Sequence, residues 1–378
     1  MKILLVIDQF DEPNNGTTIS ARRFAEGLEK EGHEVHIAAV GEEKNKKYTM
    51  EEYKLIPGIK ELIHSHGMKF AKPDDEKLRI AIKGVDIVHC YTPFILSLHA
   101  VKIAKELGVP ATTAFHVMPE VITSAVRMGK VERLNKEMHK TFYEVFFKYF
   151  NHIHCPSQFI ADELIKNGYT QKLYVISNGI APEYKYNRTE KPKGLKNKFI
   201  ITMVGRLSRE KRQDLIIRAV KRSKYKDNIQ IMLAGKGPNQ QLYERLGRSL
   251  TNPPIISFYT KEDLMKLLNY TDLYIHTADM EIEGLSCTEA IATGNVPVIA
   301  KGPKTATSQF AIVKESIFEN GNVEELKERI EFWYENNEYR EQMQKEYALF
   351  AKNYTLDSSV KELVKMFEDA IEDHKKEK

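Results

Sequence analysis

Short apolar runs alternate with stretches of helical periodicity along the whole chain, and nothing else in the sequence restricts its fold so tightly. Strands buried on both faces read as continuous apolar runs, and the helices between them carry the chain across a parallel sheet. In the first half the runs are Ile3 to Ile7, Val35 to Val40, Asp86 to Cys90, Thr112 to Phe115, Ile153 to Cys155 and Leu173 to Ile176, which predicts a six-stranded sheet. Between Tyr174 and Lys198 the pattern gives way to a stretch rich in Asn, Gly, Pro and Lys, the composition of a linker. A second series then runs through Phe199 to Val204, Gln230 to Ala234, Ile255 to Phe258, Leu273 to His276 and Val296 to Ala300. The expected architecture is α/β, with two Rossmann-like, doubly wound parallel-sheet domains at 1–180 and 199–355, joined by a linker at 181–198. A final helix at 356–378 puts Val360, Leu363, Val364, Phe367 and Ile371 on one stripe and is expected to cross back to the N-terminal domain.

A length of 378 residues suits two or three domains, and 42% hydrophobic with 29% charged residues is an ordinary soluble composition. The opening MKILLVIDQFD loses its apolar character at Asp8 and has no small-residue cleavage site, so it reads as a first strand rather than a leader. No run reaches the ~18 apolar residues of a membrane-spanning helix, so any membrane contact is expected to be peripheral. Cys90, Cys155 and Cys287 lack disulfide or zinc spacing and fit a reducing cytoplasm. Charge is uneven: residues 101–250 carry 28 basic against 13 acidic groups, whereas residues 251–378 carry 15 against 24. The middle of the chain is thus the anion-facing candidate.

Two ligand-binding folds in tandem are expected to place their motifs at the carboxyl ends of the strands. In EIEGLSCTEAIATGNVPVIA, Glu281 and Glu289 flank Gly284, Leu285 and Ser286 at the expected start of a helix. Free N–H groups there would face an anion, and the carboxylates would accept bonds from sugar and ribose hydroxyls; the alternative is an ordinary acidic helix start. In MVGRLSREKRQDLII a strand ends before Gly205, and Arg206 and Lys211 follow as two fixed cations suited to a diphosphate, with Arg209 and Arg212 expected in solvent. Gly235 and Gly237 in LAGKGPNQ permit close backbone approach to a ligand, and Gly16 lies between the first strand and first helix. His116, after the strand in TAFHVMPE, is the histidine best placed to meet a substrate. Neither a G-x-G-x-x-G after the first strand nor a P-loop occurs, and no Asp-x-Asp or His/Cys cluster implies a catalytic metal.

Taken together, NGTTISARRFAEGLEKEGHEV, DIVHCYTP, TAFH, HCPSQFIADELIKNGY, VISNGI, VGRLSREK, LAGKGP and the Glu281-to-Glu289 run resemble the retaining, nucleotide-sugar-dependent glycosyltransferases of family 4, which have the GT-B fold. The resemblance implies that Arg206 and Lys211 hold the donor diphosphate, with Gly16 against the phosphates. It implies further that Glu289 contacts the ribose, that Glu281 with the Gly284–Ser286 backbone positions the sugar, and that His116 sits beside it. It needs no cofactor beyond the nucleotide sugar and no metal. EIEGLSCTEA with FHVMPE is similar to bacterial enzymes that glycosylate diacylglycerol. Glu283, where many members have Phe or Gln, leaves the donor sugar open.

The segment from Arg127 to Phe150 bears on a lipid acceptor. Its apolar residues recur at Met128, Val131, Leu134, Met138, Phe142, Val145 and Tyr149, and Lys130, Arg133, Lys136, Lys140 and Lys148 occupy other faces. Arg127, Lys130, Arg133, Lys136 and Lys140 are candidate contacts to acceptor or membrane. Such a helix suits an anionic bilayer, and equally a core helix with a basic exterior. The stretch from Lys44 to Lys72, with Tyr48, Tyr53, Leu55, Ile56 and Ile63, is a second candidate for holding an acceptor tail. The expectation is a hexosyltransferase taking glucose from UDP-glucose to a lipid such as 1,2-diacylglycerol at the cytoplasmic membrane face. Its alternatives are a cell-wall or capsule precursor or a small molecule as acceptor. A non-enzymatic binder of anionic membrane or nucleic acid is the remaining class, and no nucleic-acid motif supports it.

Overall fold

A computed structural model of the chain describes residues 1–12, 15–54, 69–120 and 132–377. Leu55, Ile56, Ile63, Arg127, Met128, Lys130 and Val131 lie outside the described residues. Two compact units emerge: Met1–Gly179 with Leu356–Lys378, and Ile180–Thr355.

Unit 1 opens with β1 (Lys2–Gln9), whose apolar run is buried on both faces, and α1 (Gly16–Lys30). The Asn15 side chain caps α1 by accepting from the Thr18 N–H at 2.9 Å, and Gly32, at φ +86°, takes the left-handed conformation that ends it. Then come β2 (Glu34–Val40), β3 (Lys47–Glu52), β4 (Ala71–Lys72), α2 (Asp75–Ile82), β5 (Ile87–Cys90), α3 (Ile95–Glu106), β6 (Ala111–Ala114), α4 (Glu132–Val145), β7 (His152–Cys155), α5 (Gln158–Lys166) and β8 (Lys172–Val175). The sheet has eight strands in the order β4-β3-β2-β1-β5-β6-β7-β8, parallel except where β4 meets β3. The two strands beyond the expected six are polar and lie at one edge, where no apolar run is required. Because β1 pairs with β2 on one side and β5 on the other, the strand order reverses between β1 and β5.

Unit 2 consists of β9 (Phe199–Val204), α6 (Gln213–Arg222), β10 (Ile229–Ala234), α7 (Gln240–Gly247), β11 (Ile255–Ser257), α8 (Lys261–Tyr270), β12 (Leu273–His276), α9 (Leu285–Ala292), β13 (Pro297–Lys301), β14 (Ile317–Glu319), α10 (Val323–Glu335) and α11 (Asn337–Phe350). Its six parallel strands run β11-β10-β9-β12-β13-β14, the doubly wound order, with the reversal between β9 and β12. The sequence reading had five of these strands; β14 is three residues long at the far edge. The expected linker, 181–198, belongs to this unit. Ala181 and Tyr184 enter its core, the Arg188 guanidinium donates to the Leu268 carbonyl at 3.2 Å and to that of Thr271, and Lys191 pairs with Asp272. Those long-range anchors, invisible in composition, turn a linker-like stretch into part of a domain.

After unit 2 the chain returns to unit 1 as α12 (Leu356–Lys376). Leu356, Val360, Leu363, Met366, Phe367 and Ala370 join Leu5, Phe24 and Leu28 in one core. Gly27 of α1 packs so closely on Val360 that a Cβ there would collide with it.

Candidate active site

The reversal point of unit 2 gathers the residues singled out in its motifs. Beyond β9, Gly205 takes φ +153° and its N–H donates to the Ala234 carbonyl at 3.0 Å, while Leu207 donates to Lys236 at 2.9 Å. The loop after β9 therefore lies directly on the loop after β10. A Cβ on Gly235 would collide with the Gly205 carbonyl oxygen, and one on Gly237 with that of Leu207. The close approach these two glycines permit is that of one backbone to another, which shapes the loop carrying Arg206.

Lys211 closes a short 3₁₀ turn, Arg209–Lys211, and its ammonium pairs with the Glu281 carboxylate. His276, fully buried at the end of β12, donates from Nε2 to the same Glu281 oxygen at 3.1 Å. Burial alone would raise the Glu281 carboxyl, but the Lys211 charge and the His276 and Lys211 hydrogen bonds outweigh it and hold the group down at about 2. The Glu281 backbone is fixed as well, its N–H donating to the Lys304 carbonyl at 3.0 Å and its carbonyl accepting from Ala306 at 2.9 Å.

The loop after β12 also grips the turn that presents Lys211. Thr277 Oγ1 donates to the Lys211 carbonyl at 2.7 Å, and the Asp279 N–H donates to the Glu210 carbonyl at 2.7 Å. Arg212 adopts φ +54°, uncommon for a residue with a side chain, and its guanidinium meets Asp214 at 3.1 Å and Asp279 at 3.3 Å. Expected in solvent, Arg212 is instead a strut between the two loops. Arg206 is half-buried, with burial lowering its guanidinium against an opposing pull from Glu210.

Gly284 stands at the N-cap of α9 with φ +106°, and α9 has no side-chain cap. Leu285 and Ser286 are partly exposed while the remainder of α9 is buried, so only its N-terminal turn reaches the surface. The positive end of the helix macrodipole is presented there. Tyr274 Oη donates to Ser286 Oγ at 3.1 Å, and Glu289 lies buried one turn further along. The structure thus brings Gly205, Arg206, Lys211, Gly235, Gly237, Glu281, Gly284, Leu285, Ser286 and Glu289 to one end of the unit 2 sheet. Sequence reasoning missed His276, Thr277 and Asp279. Their signal was a polar cluster, HTAD, immediately after the apolar run of β12.

Gly16 and His116 belong to unit 1. Gly16 begins α1, and a Cβ there meets no described atom within 4 Å. His116 is buried, stacked on the Tyr91 ring at 5.5 Å and edge-on to His154 at 5.4 Å, with no partner for Nε2 among the described residues. Burial, and secondarily His154, keeps its imidazole neutral, so it offers a dipole and not a charge. On α4, Arg133, Lys136 and Lys140 are exposed. The buried positions of α4 include Asn135 and His139, one residue on from Leu134 and Met138, which are half-buried; Val145 is 51% exposed, and Tyr149 beyond the helix 39%. The packed face is therefore rotated away from the apolar stripe read in the sequence. Among the described residues no group of three His, Cys, Asp or Glu side chains is arranged to hold a metal, and no helix is long and apolar enough to cross a membrane.

Residues 14–184 match the family model Glycosyltransferase Family 4, and residues 186–349 match Glycosyl transferases group 1. The protein is a GT-B glycosyltransferase. A curated relative, the alpha-monoglucosyldiacylglycerol synthase of Acholeplasma laidlawii, is 24% identical to this glycosyltransferase over 383 residues, covering 96% of this chain and 95% of its own. The structure of Anabaena Alr3699/HepE in complex with UDP and glucose shares the fold, with a TM-score of 0.75 at 15% identity over 97% of this chain and 99% of that one. The catalytic domain of the cholesterol-alpha-glucosyltransferase from Helicobacter pylori is 43% identical, covering 41% of this chain and 99% of its own, with a TM-score of 0.39.

Proposed function

We propose that this glycosyltransferase transfers glucose from UDP-glucose, with retention of configuration, to the hydroxyl of a neutral lipid such as diacylglycerol at a membrane surface. The observation that carries the donor half is the fixed cation of unit 2: Lys211, locked against Glu281 and tethered through Thr277 at the point where the strand order reverses. The bond between the anomeric carbon and the diphosphate oxygen breaks with its electron pair leaving on the phosphate, where Lys211 and Arg206 stabilise the growing charge. The acceptor oxygen bonds to the anomeric carbon from the same face, and its proton passes to the departing phosphate. No covalent enzyme intermediate is involved, and no metal is required for the charge stabilisation. Glu281, held ionised, and the exposed start of α9 position the sugar, and Glu289 accepts from the ribose.

The acceptor half is supported by the diacylglycerol-directed relative and by α4, which exposes Arg133, Lys136 and Lys140 near half-buried Leu134 and Met138 and exposed Val145. Each basic residue near an anionic surface contributes about 1 kcal/mol. Incubation with UDP-glucose and other nucleotide sugars, offered micelles of diacylglycerol, micelles of a sterol or a soluble glycoside, with product detection by mass spectrometry, tests both halves. A hexosyl-diacylglycerol is the expected product. Nucleotide release with glucosylation of only the soluble glycoside would overturn the lipid acceptor, and no consumption of any donor would overturn the donor site. Replacing Arg133, Lys136 and Lys140 with Gln is expected to weaken binding to anionic vesicles while sparing transfer to detergent-dispersed acceptor.

A further inference from the structure

The reversal point of unit 1, between β1 and β5, is also built as a site. Asp8 follows the apolar run of β1, and its two carboxylate oxygens accept from the Ala71 N–H at 3.0 Å and from Thr92 Oγ1, just beyond β5, at 2.7 Å. Above Asp8 lies a cavity of about 370 Å³ whose other walls include Tyr53, Phe70, Phe94, Leu98, Val145 and Phe146. That volume falls within the range of roughly 300 to 1,000 Å³ typical of small-molecule pockets. Phe70 and Phe94 meet edge to face at 4.8 Å, and Tyr53, Ile95 and Val145 are each partly open to solvent, so the mouth is apolar as well as the interior. Tyr53 and Phe70 come from the Lys44–Lys72 stretch and Val145 and Phe146 from the Arg127–Phe150 segment, the two parts of the sequence singled out for a lipid.

We infer that this cavity receives an alkyl chain of the neutral lipid acceptor and that Asp8 excludes lipids bearing an anionic head. The inference rests on the proposed lipid acceptor and deepens it. An alkyl chain makes no polar demands, and water in so apolar a space would lack the two to four partners that hold buried water. Asp8 is the one charged group among the described lining residues. A carboxylate with both oxygens engaged still accepts one more bond from a hydroxyl, whereas a phosphate or carboxylate meets repulsion in a medium of low dielectric. Burial pushes the Asp8 carboxyl up to about 6 against the pull of its Ala71 and Thr92 bonds, so at pH 8 it is ionised and this selection operates.

Fluorescence titration of the full chain without membranes at pH 8, using 10-pyrenyldecanol and 10-pyrenyldecanoate below their aggregation concentrations, tests the assignment. The alcohol is expected to bind one to one and at least tenfold more tightly than the carboxylate. Leu98→Trp, which fills the cavity, and Val145→Glu, which charges its partly exposed mouth, are each expected to weaken alcohol binding at least tenfold. Asp8→Asn is expected to bring the two probes to within about twofold. Absence of saturable alcohol binding, unchanged binding in both folded variants, or an unchanged preference in Asp8→Asn would each overturn the cavity assignment. Glycosylated lipid product without probe binding would overturn this inference alone, while probe binding without any lipid product would overturn the acceptor proposed above.

Discussion

Asp8 and Glu281 are carboxylates each buried near the point where the strand order of its own sheet reverses, and their surroundings shift them in opposite directions. Asp8 has a backbone N–H and a hydroxyl as partners beside an apolar cavity, so the desolvation of its charge dominates and the group rises to about 6. Glu281 is buried too, but an ammonium and an imidazole N–H converge on one of its oxygens and hold it at about 2. The fold supplies the position, and the neighbours decide whether the position suits an uncharged ligand or a diphosphate.

Removing the cation is the most damaging way to break this contrast. Lys211→Ala is expected to lower turnover about a hundredfold or more, by analogy with loss of one transition-state donor. It also leaves Glu281 buried beside His276 alone, at a cost of about 3 kcal/mol of stability. Normal turnover in the folded variant, measured with saturating donor, would remove Lys211 from the chemistry. The charges can next be separated by pH. The low pKa of Glu281 means that its stabilisation is complete above about 4.5 and is lost as pH falls toward 2, so the gap between the parent and Glu281→Gln should close over that window. Asp8 has the reverse sign: its ionisation costs nothing below about 3.8 and its penalty is full above about 6. Asp8→Asn is therefore expected to gain about 1 to 3 kcal/mol between pH 4 and pH 8 relative to the parent, read by urea unfolding. A pH-independent difference would sink the desolvation account.

A matched pair of glycines gives the smallest contrast. Gly235→Ala forces a Cβ into the Gly205 carbonyl and should cost about 1 to 3 kcal/mol, lowering Tm by several degrees. Gly16→Ala enters open space at a helix start and should change stability by less than about 1 kcal/mol. A rise in donor KM for Gly16→Ala at unchanged Tm would mark a contact with the donor; an unchanged KM would place that contact elsewhere.

The inner parallel strands of both sheets, such as β1, β5, β9, β10 and β12, were legible because they are buried on two faces and are therefore apolar almost throughout. Polar β3, two-residue β4 and three-residue β14 carry no such demand and left no pattern. Lys211 and Glu281 stood out as candidates because charged residues in the short loops beyond apolar strands need a reason to be there. Thr277, Asp279 and Arg212 were not, since each acts through a partner about 65 residues away, and only the folded chain brings those partners together. The 181–198 stretch failed as a linker for the same cause: Arg188 looks solvated until Leu268 and Thr271 offer it their carbonyls.

The return of α12 to unit 1 sets a timetable for biosynthesis. Unit 2 is one uninterrupted stretch of chain, Ile180–Thr355, and all of it is synthesised before the first residue of the helix that covers Phe24 and Leu28. At about 5 to 20 residues per second, that surface waits roughly 10 to 35 s for its cover. The half of the enzyme that begins to be made first is thus the half whose core is completed last in synthesis, and a nascent chain stalled before Leu356 would leave the Gly27 face of α1 without its cover.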